Sequence, residues 1–395
     1  MNVLLVNPPS PYLENAAAYP PMGLLYVAAS LEKRGCAVRV IDMACGEQLT
    51  VESGTDLVGF TCVTPNVNEV KRLIKEVGHL TPVMVGGAHP TFIPSEPFGG
   101  DTVVRGEFET VVNKVIAGVL MRNLEPAYSG GSAESEQIGR PSRHLVNLHK
   151  YQPGGEDATP VYTSRGCSYN CAFCSKIGNN TYRRIPLSNI TEEIDYCVSA
   201  GFDSLVLGDD NFFLNKTHAS FILSYIRDAH NLNLRINTDA RTLDPNLLDL
   251  AIEAGCTEIS MGIESGNQHI LEVMNKRTTV ERNRHSVRLL RDMGIKVKIY
   301  LVCNFPGETK QTVQDTIDFV KDTEPDKVLV SNFAPMPGCD VYENPEKYGV
   351  TWMSNNWDDY YLVGKGGGFQ PCFTTKELTK EKQVELHQML VDGIK

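Results

Sequence analysis

No stretch of this 395-residue sequence approaches the roughly 18 consecutive apolar residues that a membrane-spanning helix needs. A positive balance is also missing. Lys and Arg number 37 against 48 Asp and Glu, a formal net charge of −11, which argues against a broad nucleic-acid-binding face. Arg183-Arg184 is one small basic pair and reads as a solvated or ion-paired feature. The cysteine count is 11, an odd number. The N-terminus, Met1-Asn2-Val3-Leu4-Leu5-Val6, has a strand pattern rather than a charged region ahead of an apolar one. A disulfide framework is therefore not expected, the cytoplasm is the expected compartment, and a cluster of thiols points to metal. Histidine is absent before His79, so the loop after the first strand offers no imidazole to a metal.

What is present is ordinary for a soluble globular enzyme: 42% hydrophobic and 22% charged residues, and a length suited to two or three domains. Residues 1–125 alternate short apolar runs with helical periodicity. Val3–Asn7, Val38–Met43, Leu57–Thr61, Val83–Gly86 and Thr102–Val104 read as strands, and Gly23–Arg34 as a helix. Repeated strand–helix units predict an α/β domain with a Rossmann-like open parallel sheet, whose ligands sit beyond the strands' carboxyl ends. Those ends carry Asn7-Pro8-Pro9, Asp42-Met43, Thr61-Cys62-Val63-Thr64, Gly86-Gly87-Ala88-His89-Pro90 and Gly106-Glu107. Gly86-Gly87 alone would be a tight turn; five decorated ends in one sheet point to a ligand crevice.

Residues 126–158 read as a linker, rich in small polar residues and containing Pro153-Gly154-Gly155. A second alternation fills 159–340, with strands at Pro160–Thr163, Ser204–Leu207, Arg235–Thr238, Glu258–Met261, Lys298–Val302 and Lys327–Ser331. Six parallel strands predict a partial (β/α)6 TIM-like barrel with chemistry at its carboxyl-end face. Residues 341–395 form a short C-terminal extension with an aromatic cluster, a Gly364–Gly368 stretch read as a plain loop, and an amphipathic helix over 380–394.

The sharpest local feature is Cys167-Ser168-Tyr169-Asn170-Cys171-Ala172-Phe173-Cys174, directly after the first strand of the second alternation. Three thiolates within eight residues can be presented by one loop to one metal centre. Soft thiolates select iron–sulfur clusters or zinc. A structural zinc site closes with four ligands, and the next cysteine, Cys197, lies on a predicted helix. Three ligands suit a cubane with one iron left open.

This Cys-x3-Cys-x2-Cys spacing, with Phe173 before the third cysteine, resembles the radical S-adenosylmethionine (SAM) superfamily. Four downstream segments resemble its strand-end motifs: Leu207-Gly208-Asp209-Asp210-Asn211-Phe212; Gly262-Ile263-Glu264-Ser265-Gly266 with Met274-Asn275-Lys276; Phe305-Pro306-Gly307-Glu308-Thr309; and Ala334-Pro335-Met336-Pro337-Gly338. The resemblance implies a [4Fe–4S] cluster on Cys167, Cys171 and Cys174. It implies SAM contacts at Phe173, Gly208, Asp209, Asp210 and Asn237, and at Glu264, Ser265 and Asn304. There is one departure: Asn304 stands where a glycine commonly precedes the apolar-Pro-Gly-Glu-Thr run. On their own chemistry, Asp209 and Asp210 could also cap a helix or face solvent, and Glu264 at a strand end is the stronger site candidate.

Residues 1–120 resemble the cobalamin-binding domains fused to radical SAM barrels. The similarity rests on Asn7-Pro8-Pro9, Pro20-Pro21-Met22-Gly23-Leu24-Leu25-Tyr26-Val27-Ala28, Gly86-Gly87-Ala88-His89-Pro90-Thr91 and Arg105-Gly106-Glu107-Phe108-Glu109. It implies cobalamin contacts at Pro8, Pro9, Tyr12, Tyr19, Met22 and Gly23. Further contacts are implied at Thr61, Val63 and Thr64, at Gly86, Gly87, His89 and Pro90, and at Gly106 and Glu107. The family's Asp-x-His-x-x-Gly signature is absent, so cobalamin is expected base-off with no histidine ligand. The lower cobalt face is then expected to be open, water-bound or met by a loop residue such as Tyr12 or Tyr19. The resemblance implies that the dimethylbenzimidazole tail is buried near Gly86-Gly87, and His89 beside it is read as packing or hydrogen bonding.

The family's chemistry would then be methylation of an unactivated carbon through a 5′-deoxyadenosyl radical and methylcobalamin. The expected electron donor is a reductant such as ferredoxin or flavodoxin. The substrate stays open between a peptide or protein segment, a small natural product and a lipid. Alternatives are a cyclase or rearrangement enzyme with both cofactors but no methyl transfer, a methylthiotransferase using Cys36, Cys45 and Cys62 for a second cluster, and a non-catalytic cobalamin or light sensor.

Overall fold

A computed structural model describes residues 1–10, 12–13, 15–151, 158–175, 177, 181–364 and 368–395. Pro153-Gly154-Gly155 and residues 365–367 of the glycine stretch lie outside the described residues. The chain divides into two units: residues 1–159 with 176–189 and 356–358, and residues 160–175 with 190–355 and 359–395.

The first unit is built on β1 (Asn2–Asn7), β2 (Ala37–Asp42), β3 (Leu57–Thr61), β4 (Val83–Gly86), β5 (Thr102–Arg105) and β6 (Ala127–Ser129). They form one sheet in the order β2-β1-β3-β4-β5-β6, parallel at every pairing. β1 and β3 are continuous apolar runs, as strands covered on both faces require. Helices α1 (Met22–Glu32), α2 (Val67–Val77), α3 (Ala88–Phe92) and α4 (Val112–Leu120) connect the strands. Val67, Val70, Leu73, Ile74 and Val77 of α2 bury one helical face onto Leu4, Val58, Phe60 and Val85. The strand order reverses between β1 and β3, which opens the crevice there.

The segment read as a linker is different in kind. β6 lies inside it and completes the sheet, and the first unit runs on to Thr159. A three-residue strand among small polar residues carries no periodicity, so only its pairing with β5 defines it.

The second unit contains β7 (Thr159–Val161), which starts at its boundary, then β8 (Ser164–Arg165), β10 (Ser204–Leu207), β11 (Asn233–Thr238), β12 (Cys256–Glu264), β13 (Lys296–Cys303) and β14 (Lys327–Asn332); β9 (Arg183–Arg184) falls in the first unit. The large sheet runs β14-β13-β12-β11-β10-β7, so strands adjacent in sequence are adjacent in space. Every pair from β10 to β14 is parallel. That is the expected partial barrel. Helices α5 (Leu187–Ser199), α6 (Lys216–Ala229), α7 (Pro245–Glu253), α8 (Gln268–Val273), α9 (Val280–Asp292) and α10 (Lys310–Thr323) alternate with the strands. Asp244 caps α7 through the Asn246 N–H with Pro245 in the first turn, and Asn215, Asn267, Thr279 and Thr309 cap α6, α8, α9 and α10. The extension adds the antiparallel pair β15 (Val350–Met353) and β16 (Phe373–Thr375), and α12 (Lys380–Gly393) follows the short α11 (Asp340–Glu343). Among the described residues, no helix is long and apolar enough to cross a membrane.

Candidate cofactor sites

In the second unit, β7 and β8 deliver the chain into the cysteine loop. Asp209, two residues past the end of β10, holds the entry. It is fully buried and accepts from the Thr163 N–H (3.1 Å), the Thr163 hydroxyl (3.0 Å) and the Ser164 hydroxyl (2.5 Å). Burial pushes its carboxyl up to about 6 against those hydrogen bonds. His218 Nε2 lies 2.9 Å from the Thr163 carbonyl. Asp209 thus faces the loop's stem, while Asp210 is exposed.

The three cysteines are half-buried. Among the described residues no three His, Cys, Asp or Glu groups gather tightly enough for a single metal ion; a cubane spaces its thiolates more widely than one ion does. The loop between them is moored on both sides of Cys171. The Ala172 N–H donates to the Met274 carbonyl (2.8 Å), and Asn275 Nδ2 donates to the Asn170 carbonyl (2.6 Å). Arg241 stacks 3.5 Å over the Tyr169 ring centroid, and Lys276 Nζ lies 5.9 Å from that of Phe173. Three adjacent soft donors with cations beside them fit an anionic iron–sulfur cluster.

Glu264, at the carboxyl end of β12, gives its carboxylate to Lys276 Nζ (2.9 Å). Lys276 also meets Asp239 Oδ2 (3.1 Å), and Arg241 grips both Asp239 oxygens (2.7 and 2.8 Å). Burial opposes the Asp239 charge, but Arg241 and Lys276 outweigh it and hold the carboxyl at about 2. Asp239, Arg241, Lys276 and Tyr169 were not among the expected site residues; an acid two residues ahead of a base at a strand's carboxyl end, Asp239-Ala240-Arg241, was the available signal. Ser265 turns away, its hydroxyl 3.3 Å from that of Thr316 and accepting the Asn267 N–H. Gly208 continues the sheet by donating to the Val161 carbonyl (3.0 Å), and Asn237 lies mid-ladder opposite Ser260.

Asn304 explains its own departure from glycine. Its φ is 67°, a left-handed backbone that glycine adopts freely and asparagine best among the rest. Its Nδ2 donates to Asn332 Oδ1 (2.9 Å), whereas its Oδ1 is buried without a partner. Its N–H donates to Glu308 Oε2 (2.5 Å). Burial raises the Glu308 carboxyl to about 8. A folded-state value above the unfolded one means stability that is full below about pH 4.5 and is lost as pH rises through 8. Glu308→Gln keeps the acceptor and removes the ionisation. The variant's unfolding free energy is expected to gain on wild type between about pH 5 and 8, by at most about 1.4 kcal/mol per pH unit. A difference that is flat across that window would refute the assignment.

In the first unit, the carboxyl ends of β1 and β3 flank the switch point. Pro8 is buried, Pro9, Tyr12 and Thr61 are half-buried, and Tyr19, Gly23 and Val63 are exposed, with Val63 at 45%. Apolar side chains left open at a crevice fit a large, flat, partly apolar ring system. Met22, Thr64 and Pro90 are buried. Gly87 has φ 117°, and a Cβ there would stand 2.5 Å from the Cys62 carbonyl oxygen, so the β3 and β4 ends close together only with glycine. Beside it, Gly86 accepts the Cys62 N–H (2.7 Å), and the Gly106 N–H donates to Thr91 Oγ1 (3.0 Å).

His89 is 0% exposed. Its Nδ1 lies 3.1 Å from Thr64 Oγ1, its Nε2 3.9 Å from Glu96, and its ring centroid 4.6 Å from that of Trp357, which donates to Glu96 (3.0 Å). Burial lowers the imidazole to about 4, keeping it neutral. It packs rather than facing open space. Glu107 is also engaged: its carboxylate takes both Arg183 Nη atoms (2.5 and 2.7 Å) and the Ala133 N–H (2.6 Å). The small basic pair is therefore half core, with Arg183 buried and Arg184 exposed.

Residues 161–320 match the model of the radical SAM superfamily, and residues 14–116 match the B12 binding domain. The chain thus joins a B12 binding domain to a radical SAM domain. It is 27% identical to an uncharacterized methyltransferase of Pyrococcus horikoshii over 97% of this chain and 90% of that protein. It is 25% identical to the anaerobic magnesium-protoporphyrin IX monomethyl ester cyclase of Rubrivivax gelatinosus, over 87% of this chain and 70% of that one. Its fold matches the radical SAM methyltransferase TsrM of Kitasatospora setae, solved with cobalamin and a [4Fe–4S] cluster bound. The TM-score is 0.77 at 21% identity, covering 98% of this chain and 90% of that one.

The fold also separates the cysteines of the methylthiotransferase alternative. Cys36 precedes β2, whereas Cys45 and Cys62 follow the carboxyl ends of β2 and β3. Six residues of strand, about 20 Å at 3.3 Å each, lie between the two edges.

Proposed function

We propose that this chain is a C-methyltransferase that acts on an unactivated carbon, with SAM, a [4Fe–4S] cluster on Cys167, Cys171 and Cys174, and base-off cobalamin. The observation that carries this reading is the pairing, in one chain, of a moored three-thiol loop with a 2-1-3-4-5-6 sheet whose buried His89 is occupied elsewhere. When bound, the cluster with SAM supplies hydrogen-abstracting radical chemistry and cobalamin supplies the methyl group. The protein's own part is positioning and the exclusion of water. Asp209 and His218 hold the stem of the loop, Asn275 and Met274 hold its turn, and Val63 and Tyr19 offer apolar surface at the crevice. The methyltransferase names of the Pyrococcus and Kitasatospora proteins support the reaction class. The electron donor in this reading is a low-potential ferredoxin or flavodoxin, and the substrate a peptide or protein segment or a small molecule.

A radical C-methylation needs no acidic substrate proton, so a strong catalytic base is not required. With substrate and a reductant, 5′-deoxyadenosine and S-adenosylhomocysteine are expected in about equal amounts after subtraction of uncoupled cleavage. One SAM supplies the radical and another renews the methyl donor. The product should gain one CH2 in mass and, after several turnovers with methyl-deuterated SAM, carry the label. The Rubrivivax cyclase relative favours the second reading, a radical ring closure. Turnover that gives 5′-deoxyadenosine without S-adenosylhomocysteine or mass gain would select it.

A further inference from the structure

Among the described residues six non-glycine residues have left-handed backbones, and three of them, Glu264 (φ 64°), Asn275 (φ 51°) and Arg277 (φ 52°), flank the same ion network. Such positions are strained and persist where the surroundings over-determine them. The network is Glu264–Lys276–Asp239–Arg241, each side chain less than a tenth exposed. Gly262 makes room for it: a Cβ there would stand 2.2 Å from Glu264 Oε1 and 3.1 Å from Lys276 Nζ. The two cations present their remaining faces to Tyr169 and Phe173, the residues two before and two after Cys171. The peptide groups next to Cys171 are tied to Met274 and Asn275, at the strained corner that carries Lys276.

We infer that Arg241 and Lys276 are positioning residues of the cysteine loop, and that their fixed charges beside Cys171 make the cluster easier to reduce. The inference rests on the cluster assignment of the proposed function. The step it concerns is a one-electron reduction: an external low-potential donor gives one electron, no bond is made and no proton moves. The cluster gains one negative charge. Two cations held in a poorly solvated site lower the energy of that charged state, and cluster potentials respond to local charge and exposure. A purely structural salt bridge would shape the barrel mouth without this effect.

The test is a redox titration of the reconstituted full-length protein with titanium(III) citrate under anaerobic conditions, followed by the EPR signal of the reduced cluster and by iron content. At a fixed poise, Arg241→Gln and Lys276→Met are each expected to lower the reduced-to-oxidised ratio about tenfold with iron retained, equivalent to about 59 mV for one electron. Asp239→Asn removes a negative charge and is expected to raise the ratio. Tyr169→Leu leaves the charges in place; it should change the ratio by less than about threefold while speeding iron loss to a chelator. Lys327→Gln, which removes the half-exposed partner of buried Glu258 at the strands' opposite ends, should change neither. If Arg241→Gln and Lys276→Met keep their iron and reduce like wild type, the inference is overturned. An equal shift in Lys327→Gln would overturn it too, as a whole-protein charge effect. Should the two cation variants not fold, Asp239→Asn and Tyr169→Leu decide: a fall with the first, or unchanged iron loss with the second, overturns it. A wild-type protein that binds no iron overturns the cluster assignment itself, and the iron count tells the two failures apart.

Discussion

Protein with Cys167, Cys171 and Cys174 all replaced by alanine is expected to hold essentially no iron after anaerobic purification, against about four irons per chain in wild type. The expectation follows from which thiols can act as ligands. Iron binds thiolate, not thiol. Of the other eight cysteines, seven are buried: Cys36, Cys62, Cys197, Cys256, Cys303, Cys339 and Cys372. Burial pushes the thiols of Cys256 and Cys372 up to about 12 and that of Cys339 up to about 11, and those of Cys62 and Cys303 well above the ordinary range. Those groups stay protonated in folded protein. Cys45 alone among the eight is half-exposed, and it sits near Asp42 (3.8 Å), an acceptor that opposes thiolate formation. Cys45→Ser is therefore expected to keep the wild-type iron content. SAM cleavage should fall to background in the triple variant while the first unit still binds cobalamin. Iron and sulfide assays read the outcome, and iron surviving the triple change would remove the cluster assignment.

The strands were legible because each is short, apolar and bounded by turn residues; the range Leu57–Thr61 is identical in sequence reading and structure. The cysteine loop was legible because its ligands lie within eight residues. What could not be read is what distant residues do to a motif. Glu264 looks like an open carboxylate until Lys276 closes on it, and Asp209 looks available until Thr163 and Ser164, more than forty residues earlier, occupy it. Trp357, in the C-terminal extension, belongs with the first unit, where it covers His89; nothing local announces that. Asn304 is the reverse case. Its mismatch with the family's glycine was visible, and the reason, a left-handed φ that asparagine tolerates, needed the backbone.

Glu107 shows how a motif residue can be decided by its partner. Arg183→Met is expected to destabilise the first unit by about 3–5 kcal/mol, because it leaves a buried carboxylate uncompensated. The pair is bidentate, 2.5 and 2.7 Å, with each side chain 8% exposed, and Arg183 also donates to the Ala133 carbonyl (2.8 Å). Exposed ion pairs are worth far less, so the effect depends on burial. Glu107→Gln should cost a similar amount, since it leaves the buried guanidinium without a counter-charge. The double change Glu107→Leu with Arg183→Met should recover most of the loss, because exchanging a buried pair for apolar residues of similar bulk is close to neutral. Urea unfolding followed by circular dichroism measures all three. The same variants separate the two roles open to Glu107. If its carboxylate serves only the ion pair, the double variant binds cobalamin as wild type does. If Glu107 contacts cobalamin itself, the double variant recovers stability yet binds cobalamin as weakly as Glu107→Gln.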